Sequence, residues 1–188
     1  MNQEINSLPY WLQDKFIILV GLMGAGKTKL GRIIASSMNL PFVDSDIEIE
    51  KAAGCSIQEI FDRFGEAYFR DGERRVIKRL LGDQPAVLAT GGGAYMNKQL
   101  RNAISKHGIT IWLRADIDLL VKRTKYRSGR PLLNKGDTRE LLTGLMTRRY
   151  PVYAKSEIII DVSEEPASKT ALRIINLLTN HNPEEDNQ

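Results

Sequence analysis

The chain has 188 residues, about one domain at roughly 150 residues per domain. Apolar residues make up 42% and charged residues 27%, with 15 Gly, 7 Pro and one cysteine, which excludes a disulfide scaffold, a collagen-like repeat and bulk disorder. Twenty-seven basic against 23 acidic side chains leave a formal charge of +4, which favours anionic partners without separating nucleic acid from a phosphorylated or carboxylated small molecule.

No apolar run approaches the roughly 20 residues of a membrane span, and Met1 to Lys15 lacks a basic segment followed by an apolar one. The expectation is a cytoplasmic protein without membrane contact, with irregular ends before Phe16 and from His181 to the acidic Glu184–Asp186.

Phe16 to Val20 is an unbroken β-branched and aromatic run, the pattern of a strand buried on both faces. Four similar runs follow, Leu40 to Val43, Ala86 to Ala89, Ile109 to Leu113 and Glu157 to Ile160. Between them lie segments with helical apolar spacing: Leu30 to Met38, a helix after Ser56 with Glu59 completing a capping box, Glu66 to Leu81, Asn97 to His107, Asp116 to Thr124, Asp137 to Tyr150 and, at the end, Ala167 to Thr179. Such alternation predicts an α/β fold, a three-layer α/β/α sandwich around a five-stranded parallel sheet. One domain is expected over 1–188, with its core over about 16–179. The basic stretch Lys125 to Lys135 breaks the rhythm and reads as a mobile lid or a plain surface loop.

Directly after the first strand, Gly21-Leu22-Met23-Gly24-Ala25-Gly26-Lys27-Thr28 matches G-x-x-x-x-G-K-[ST]. Glycines there let successive N–H groups turn around phosphate oxygens, the following helix adds positive potential, Lys27 reaches the outer phosphates and Thr28 offers a hydroxyl to Mg²⁺. Gly24, Ala25, Gly26, Lys27, Thr28 and Lys29 are therefore the candidate nucleotide contacts.

A motor ATPase would carry an acidic residue at the end of a further apolar strand, whereas Ala86 to Ala89 runs into Thr90-Gly91-Gly92-Gly93. Asn134-Lys135-Gly136-Asp137 and Asp62-Arg63-Phe64-Gly65 imitate the N-K-x-D and D-x-x-G of GTPases, but neither follows a strand. A basic nucleic-acid-binding regulator is the alternative outside enzymes.

Asp44-Ser45-Asp46 follows the second strand; taken as extended, it points both carboxylates into the crevice at the strand ends. One can help hold Mg²⁺ and the other can accept a proton from an attacking hydroxyl, or Asp46 can simply cap a helix. Arg70 and Glu73 share a helix face, either as an exposed ion pair or with Glu73 fixing Arg70 for a substrate carboxylate. Gly72 between them suggests a close neighbour. Gly91, Gly92 and Gly93 suggest a substrate wall. Arg149 sits at a helix end, where a cation also complements the dipole.

The ordered set of motifs resembles shikimate kinase: the P-loop, Asp44-Ser45-Asp46, Phe69-Arg70-x-x-Glu73, Gly91-Gly92-Gly93, Arg130-Pro131-Leu132-Leu133 and Arg149-x-Pro151-x-Tyr153, from about Phe16 to Leu178. The resemblance implies a P-loop kinase fold with a lid over about 123–136, moving the γ-phosphoryl of ATP to the 3-hydroxyl of shikimate in the route to chorismate and the aromatic amino acids. It implies Lys27, Asp46 and Arg130 as catalytic, Thr28 and Asp44 beside Mg²⁺, and Asp46, Arg70, Gly91, Gly92, Gly93 and Arg149 around shikimate. Arg123 would lie against adenine and Arg130 would reach the phosphates from the lid. Pro166 is a looser adenine contact, preceded here by Glu164-Glu165 where some members carry basic residues. A monomer is expected. The residues alone leave another hydroxylated carboxylate, such as gluconate, as the alternative acceptor.

Overall fold

The structure, a computed structural model, describes residues 8–124 and 137–180. Five strands form one parallel sheet, β1 (Phe16–Val20), β2 (Phe42–Asp44), β3 (Val87–Ala89), β4 (Gly108–Ala115) and β5 (Ile158–Val162), in the spatial order β2-β3-β1-β4-β5. The central β1 is buried at every position, which is why its residues read as an apolar run rather than an alternation. Its register sets Leu19 beside Ala89 on β3 and Ile111 on β4. All strands run the same way, so the carboxyl ends of β1, β2 and β3 open onto one edge of the sheet, where open α/β folds bind ligands.

The helices are α1 (Lys27–Ser37), α2 (Ser45–Ala53), α3 (Ile57–Leu80), α4 (Lys98–His107), α5 (Ile117–Thr124), α6 (Thr138–Tyr153) and α7 (Ala167–Asn180). One apolar core runs from Leu12 to Leu178 and joins both helical layers to the sheet. No helix among the described residues is long and apolar enough to cross a membrane.

Three local expectations are corrected. Asp44-Ser45-Asp46 is not extended: β2 stops at Asp44, whose carboxylate caps α2 by accepting the N–H of Asp46. The cap is therefore Asp44, and Asp46 lies in the first turn. The two helices expected between Ser56 and Leu81 are both present within the span α3: the Ser56–Glu59 capping box opens the first, and Gly65, with φ 78° and ψ 176°, makes the kink at which the second begins. Nothing stands within 4 Å of where a Gly72 Cβ would be, so the close neighbour expected there is missing. Helix α6 continues past Tyr150, through Pro151, to Tyr153.

The lid segment falls largely on residues 125–136, and that expectation, with Arg130, lies outside the described residues. Arg123 and Thr124, included in its expected bounds, are the last residues of α5. The GTPase look-alikes are placed by the structure as well: Asp137 caps α6, and Asp62 accepts from Gln58 within α3.

Candidate active site

The loop between β1 and α1 carries the phosphate-binding sequence. Gly21, Gly24 and Gly26 hold φ of 142°, 85° and 98°, angles that side chains rarely adopt, and Gly26 stands at the N-cap of α1. Lys27 Nζ arches over the loop and donates to the carbonyls of Gly21 (2.8 Å) and Leu22 (3.0 Å). Thr28 Oγ1 donates to Asp44 Oδ2 at 2.8 Å, so the hydroxyl at the start of α1 meets the carboxylate at the end of β2. This pair of hard oxygens suits Mg²⁺, which binds one or two protein groups and completes its shell with phosphates and water. No cluster of three or more His, Cys, Asp or Glu suited to a metal occurs among the described residues.

Beside this loop lies a cavity of about 320 Å³ lined by residues that include Lys27, Thr28, Asp44, Asp46, Arg70, Glu73, Gly91, Gly92, Gly93 and Arg149. Among the described residues, the expected Gly24, Gly26, Lys27, Thr28, Lys29, Asp44, Asp46, Arg70, Gly91, Gly92, Gly93 and Arg149 thus converge on one space, while Ala25 and Arg123 do not line it. Arg70 Nη1 donates to Glu73 Oε2 at 2.8 Å, and Glu66 holds the opposite side of the guanidinium at 3.1 Å. Of the two readings of this ion pair the exposed one fails, because Glu73 is 2% exposed. Burial pushes the Glu73 carboxyl above its ordinary value and the nearby Asp46 adds to that, against the opposing pull of Arg70 and Arg149. Burial works to lower the Arg70 pKa, but its two carboxylates hold it above its ordinary value.

The glycine triplet serves close approach. A Cβ on Gly91 would stand 2.7 Å from Asp46 Oδ1 and 2.8 Å from Glu73 Oε1, and one on Gly93 would stand 2.3 Å from Arg70 Nη1. The side chains that these glycines admit are therefore the protein's own site residues. After the triplet the chain makes only a short 3₁₀ turn, Ala94–Met96.

Sequence reasoning passed over Ser45 and gave Tyr153 no role. The buried Ser45 accepts the N–H of Gly91 at 2.9 Å and so pins the triplet to α2. The Tyr153 hydroxyl donates to the Gly92 carbonyl. Its place four residues after Arg149 was the available signal, since that spacing puts both on one helix face.

A second cavity, of about 460 Å³, opens on the other side of the P-loop and is lined by Gly24, Ala25, Gly26, Lys29, Arg123, Glu164, Glu165 and Pro166 among others. Arg123 Nη2 donates to the Ser163 carbonyl at 3.0 Å. Glu164 pairs with Lys122 at 2.8 Å and Glu165 with Arg173 at 2.9 Å, so both acidic departures before Pro166 are matched by cations.

A family model described as shikimate kinase matches residues 23–179. A shikimate kinase of Paramagnetospirillum magneticum is 53% identical over 159 residues, covering 85% of this chain and 82% of that protein. The solved shikimate kinase from Acinetobacter baumannii in complex with shikimate superposes with a TM-score of 0.85 at 35% identity, over 90% of this chain and 97% of that one. A gluconokinase from Sinorhizobium meliloti, with a TM-score of 0.58 and 17% identity over 89% of this chain and 94% of that one, shares the fold alone. Sequence identity, superposition and the converging site residues agree: the chain belongs to the shikimate kinase family.

Proposed function

We infer that this protein moves the γ-phosphoryl group of ATP to the 3-hydroxyl of shikimate, giving shikimate 3-phosphate and ADP. The observation that carries this reading is the P-loop standing between two cavities, with Gly24, Gly26 and Lys29 lining both. The nucleoside belongs on the Arg123 and Pro166 side, and the acceptor belongs on the side of Asp46, Arg70 and Arg149. The phosphate chain then lies on the shared loop, with its terminal group directed at the acceptor.

Each side chain has a definite task in this reading. The N–H groups from Gly24 to Lys29 cradle phosphate oxygens at the start of α1. Lys27 supplies positive charge at the transferring group, and Arg130 adds a second cation there. Thr28 and Asp44 would hold Mg²⁺, which when bound neutralises charge on the phosphate oxygens. Asp46 orients the attacking hydroxyl and accepts its proton. Arg70 and Arg149 grip the carboxylate, and Gly92 donates to it from its backbone. Gly91 and Gly93 leave room for the side chains that form the wall. Lys29 and Arg123 contact the nucleotide. The same reading has the protein act as a monomer, in the cytoplasm, as a single domain.

A coupled ADP-release assay with ATP and Mg²⁺ tests the acceptor, with shikimate, gluconate and nucleoside monophosphates run in parallel. Turnover with shikimate alone is the expected result. Equal or faster turnover with gluconate would overturn the assignment of the acceptor.

A further inference from the structure

Tyr153 is fully buried at the end of α6, yet its polar atom faces the site. Its ring is fixed on three sides by aromatic neighbours, Trp112 at 6.0 Å, Tyr150 at 6.3 Å and Tyr95 at 6.4 Å between centroids. With the ring immobilised, the hydroxyl has one position. There it donates to the carbonyl of Gly92, and the positive charge of Arg149 acts on the same hydroxyl. Arg149 also approaches the glycine from its own side, with Nη1 3.1 Å from where a Gly92 Cβ would stand. One buried hydroxyl therefore ties a group on α6 to a peptide after β3, two segments far apart in sequence.

We propose that Tyr153 is a positioning residue for acceptor binding: its hydroxyl locks the Gly92 peptide and the Arg149 guanidinium into one relative arrangement without itself touching either substrate. A peptide whose carbonyl is held on one side must present its N–H on the other, because the peptide unit is planar. The N–H that shares this plane with the Gly92 carbonyl is that of Gly93, so holding the carbonyl fixes the Gly93 N–H and limits the backbone angles of Gly92 on which its own N–H depends. Arg149 Nη1 and the tyrosine oxygen both stand within 4 Å of where a Gly92 Cβ would be, so the guanidinium is beside a hydroxyl oxygen that keeps a lone pair free to accept from it. Burial pushes the Tyr153 hydroxyl up to about 12, so it keeps the proton that this donation needs. A phenylalanine fills the same volume and supplies neither link.

The proposal rests on the reading in which Arg149 and Gly92 hold the acceptor's carboxylate, and the test separates the two. Steady-state kinetics with ATP, Mg²⁺ and shikimate are measured on the full chain as wild type, Tyr153→Phe, Arg149→Ala and the double variant, each with a thermal melt. Tyr153→Phe is expected to raise the KM for shikimate about tenfold, as for a lost hydrogen bond to a charged group. Its kcat and KM for ATP should stay within about twofold of wild type, since groups made only in the transition state are untouched. Placed on Arg149→Ala, the phenylalanine should add little, because the two side chains act as a unit.

A shikimate KM unchanged in Tyr153→Phe but raised in Arg149→Ala would overturn the positioning role while leaving the carboxylate grip intact. A shikimate KM unchanged in Arg149→Ala would instead remove the grip, and this proposal with it. Full additivity in the double variant, or KM for both substrates rising together with a lowered melting temperature, would reduce Tyr153 to a packing residue. A Tyr153→Phe protein that does not fold would do the same.

Discussion

Arg70 and Glu73, three residues apart on α3, form a 2.8 Å ion pair in which the acid is the more deeply buried partner. The pair faces the cavity, and Glu66 braces the guanidinium from the solvent side. A buried carboxylate held this way costs stability and gains orientation, so the two effects can be separated by replacing it with its neutral isostere.

Glu73→Gln is therefore expected to change stability with a sign that depends on pH. The carboxyl is raised above its ordinary value in the fold, so its contribution is complete at acid pH and is lost as pH rises through that raised value. Glutamine does not titrate. The melting temperature of the variant relative to wild type should thus climb steadily from pH 4 toward neutrality, while its KM for shikimate rises because Arg70 loses its anchor. A difference in melting temperature that stays flat across that range would contradict the assigned direction of the shift.

Lys27→Ala should lower kcat by roughly 10² to 10³, as for removal of one group that stabilises developing charge. The melting temperature should hardly move, because the ammonium bonds to carbonyls of its own loop. Retention of the wild-type rate would exclude the nucleotide site described here.

Asp46→Asn keeps the volume of the side chain and removes its charge. Capping of α2 should survive, since Asp44 is the cap. Binding of an ATP analogue, followed by calorimetry, should match wild type, and kcat should fall by roughly 10² or more if the carboxylate takes the acceptor's proton. An unchanged kcat would leave Asp46 without a chemical role.

Gly72→Ala offers a test of packing without chemistry. A helical glycine costs about 1 kcal/mol relative to alanine, and no atom stands within 4 Å of the added methyl. Stability should rise by up to about 1 kcal/mol, or about 2 to 4 °C in melting temperature for a chain of this size. Kinetic constants should be unaltered, and a destabilised variant would show that the helix needs the glycine.

Arg130→Ala should lower kcat by roughly 10² to 10⁴, because a cation at the transferring group acts mainly in the transition state. Lys125→Ala, from the same basic stretch but with no assigned contact, should change little. Equal effects of the two substitutions would make the charge of this stretch, rather than one arginine, the relevant quantity.

The strands and the P-loop were legible because each has a strong local signature, a fully apolar run or a fixed glycine spacing. Helix α2 was not. Ile47-Glu48-Ile49-Glu50 alternates with period two, which mimics a half-buried strand, and the competing signal is a single Asp44 cap that only the structure separates from Asp46. The site was legible in its charged members and opaque in its supports. Spacing reveals that Arg70 and Glu73 share a face, but nothing in the sequence tells whether that face looks inward. Ser45 and Tyr153 escape for a related reason, since each acts on a backbone group of the glycine triplet, a partner that the sequence does not mark.

The P-loop that divides the two cavities also makes them addressable by one compound. In the proposed reading, an adenosine joined through a phosphate chain to a hydroxylated cyclic carboxylate seats its base in the cavity lined by Arg123 and its acid in the cavity lined by Arg70, with Gly24 and Gly26, which line both, between them. Tethering turns the second capture into an intramolecular event, so such a conjugate gains affinity from effective concentration when the tether matches the span and loses it when the tether is too short. A series of conjugates differing only in the number of bridging phosphates would act as a ruler for the separation between base and acceptor across that loop.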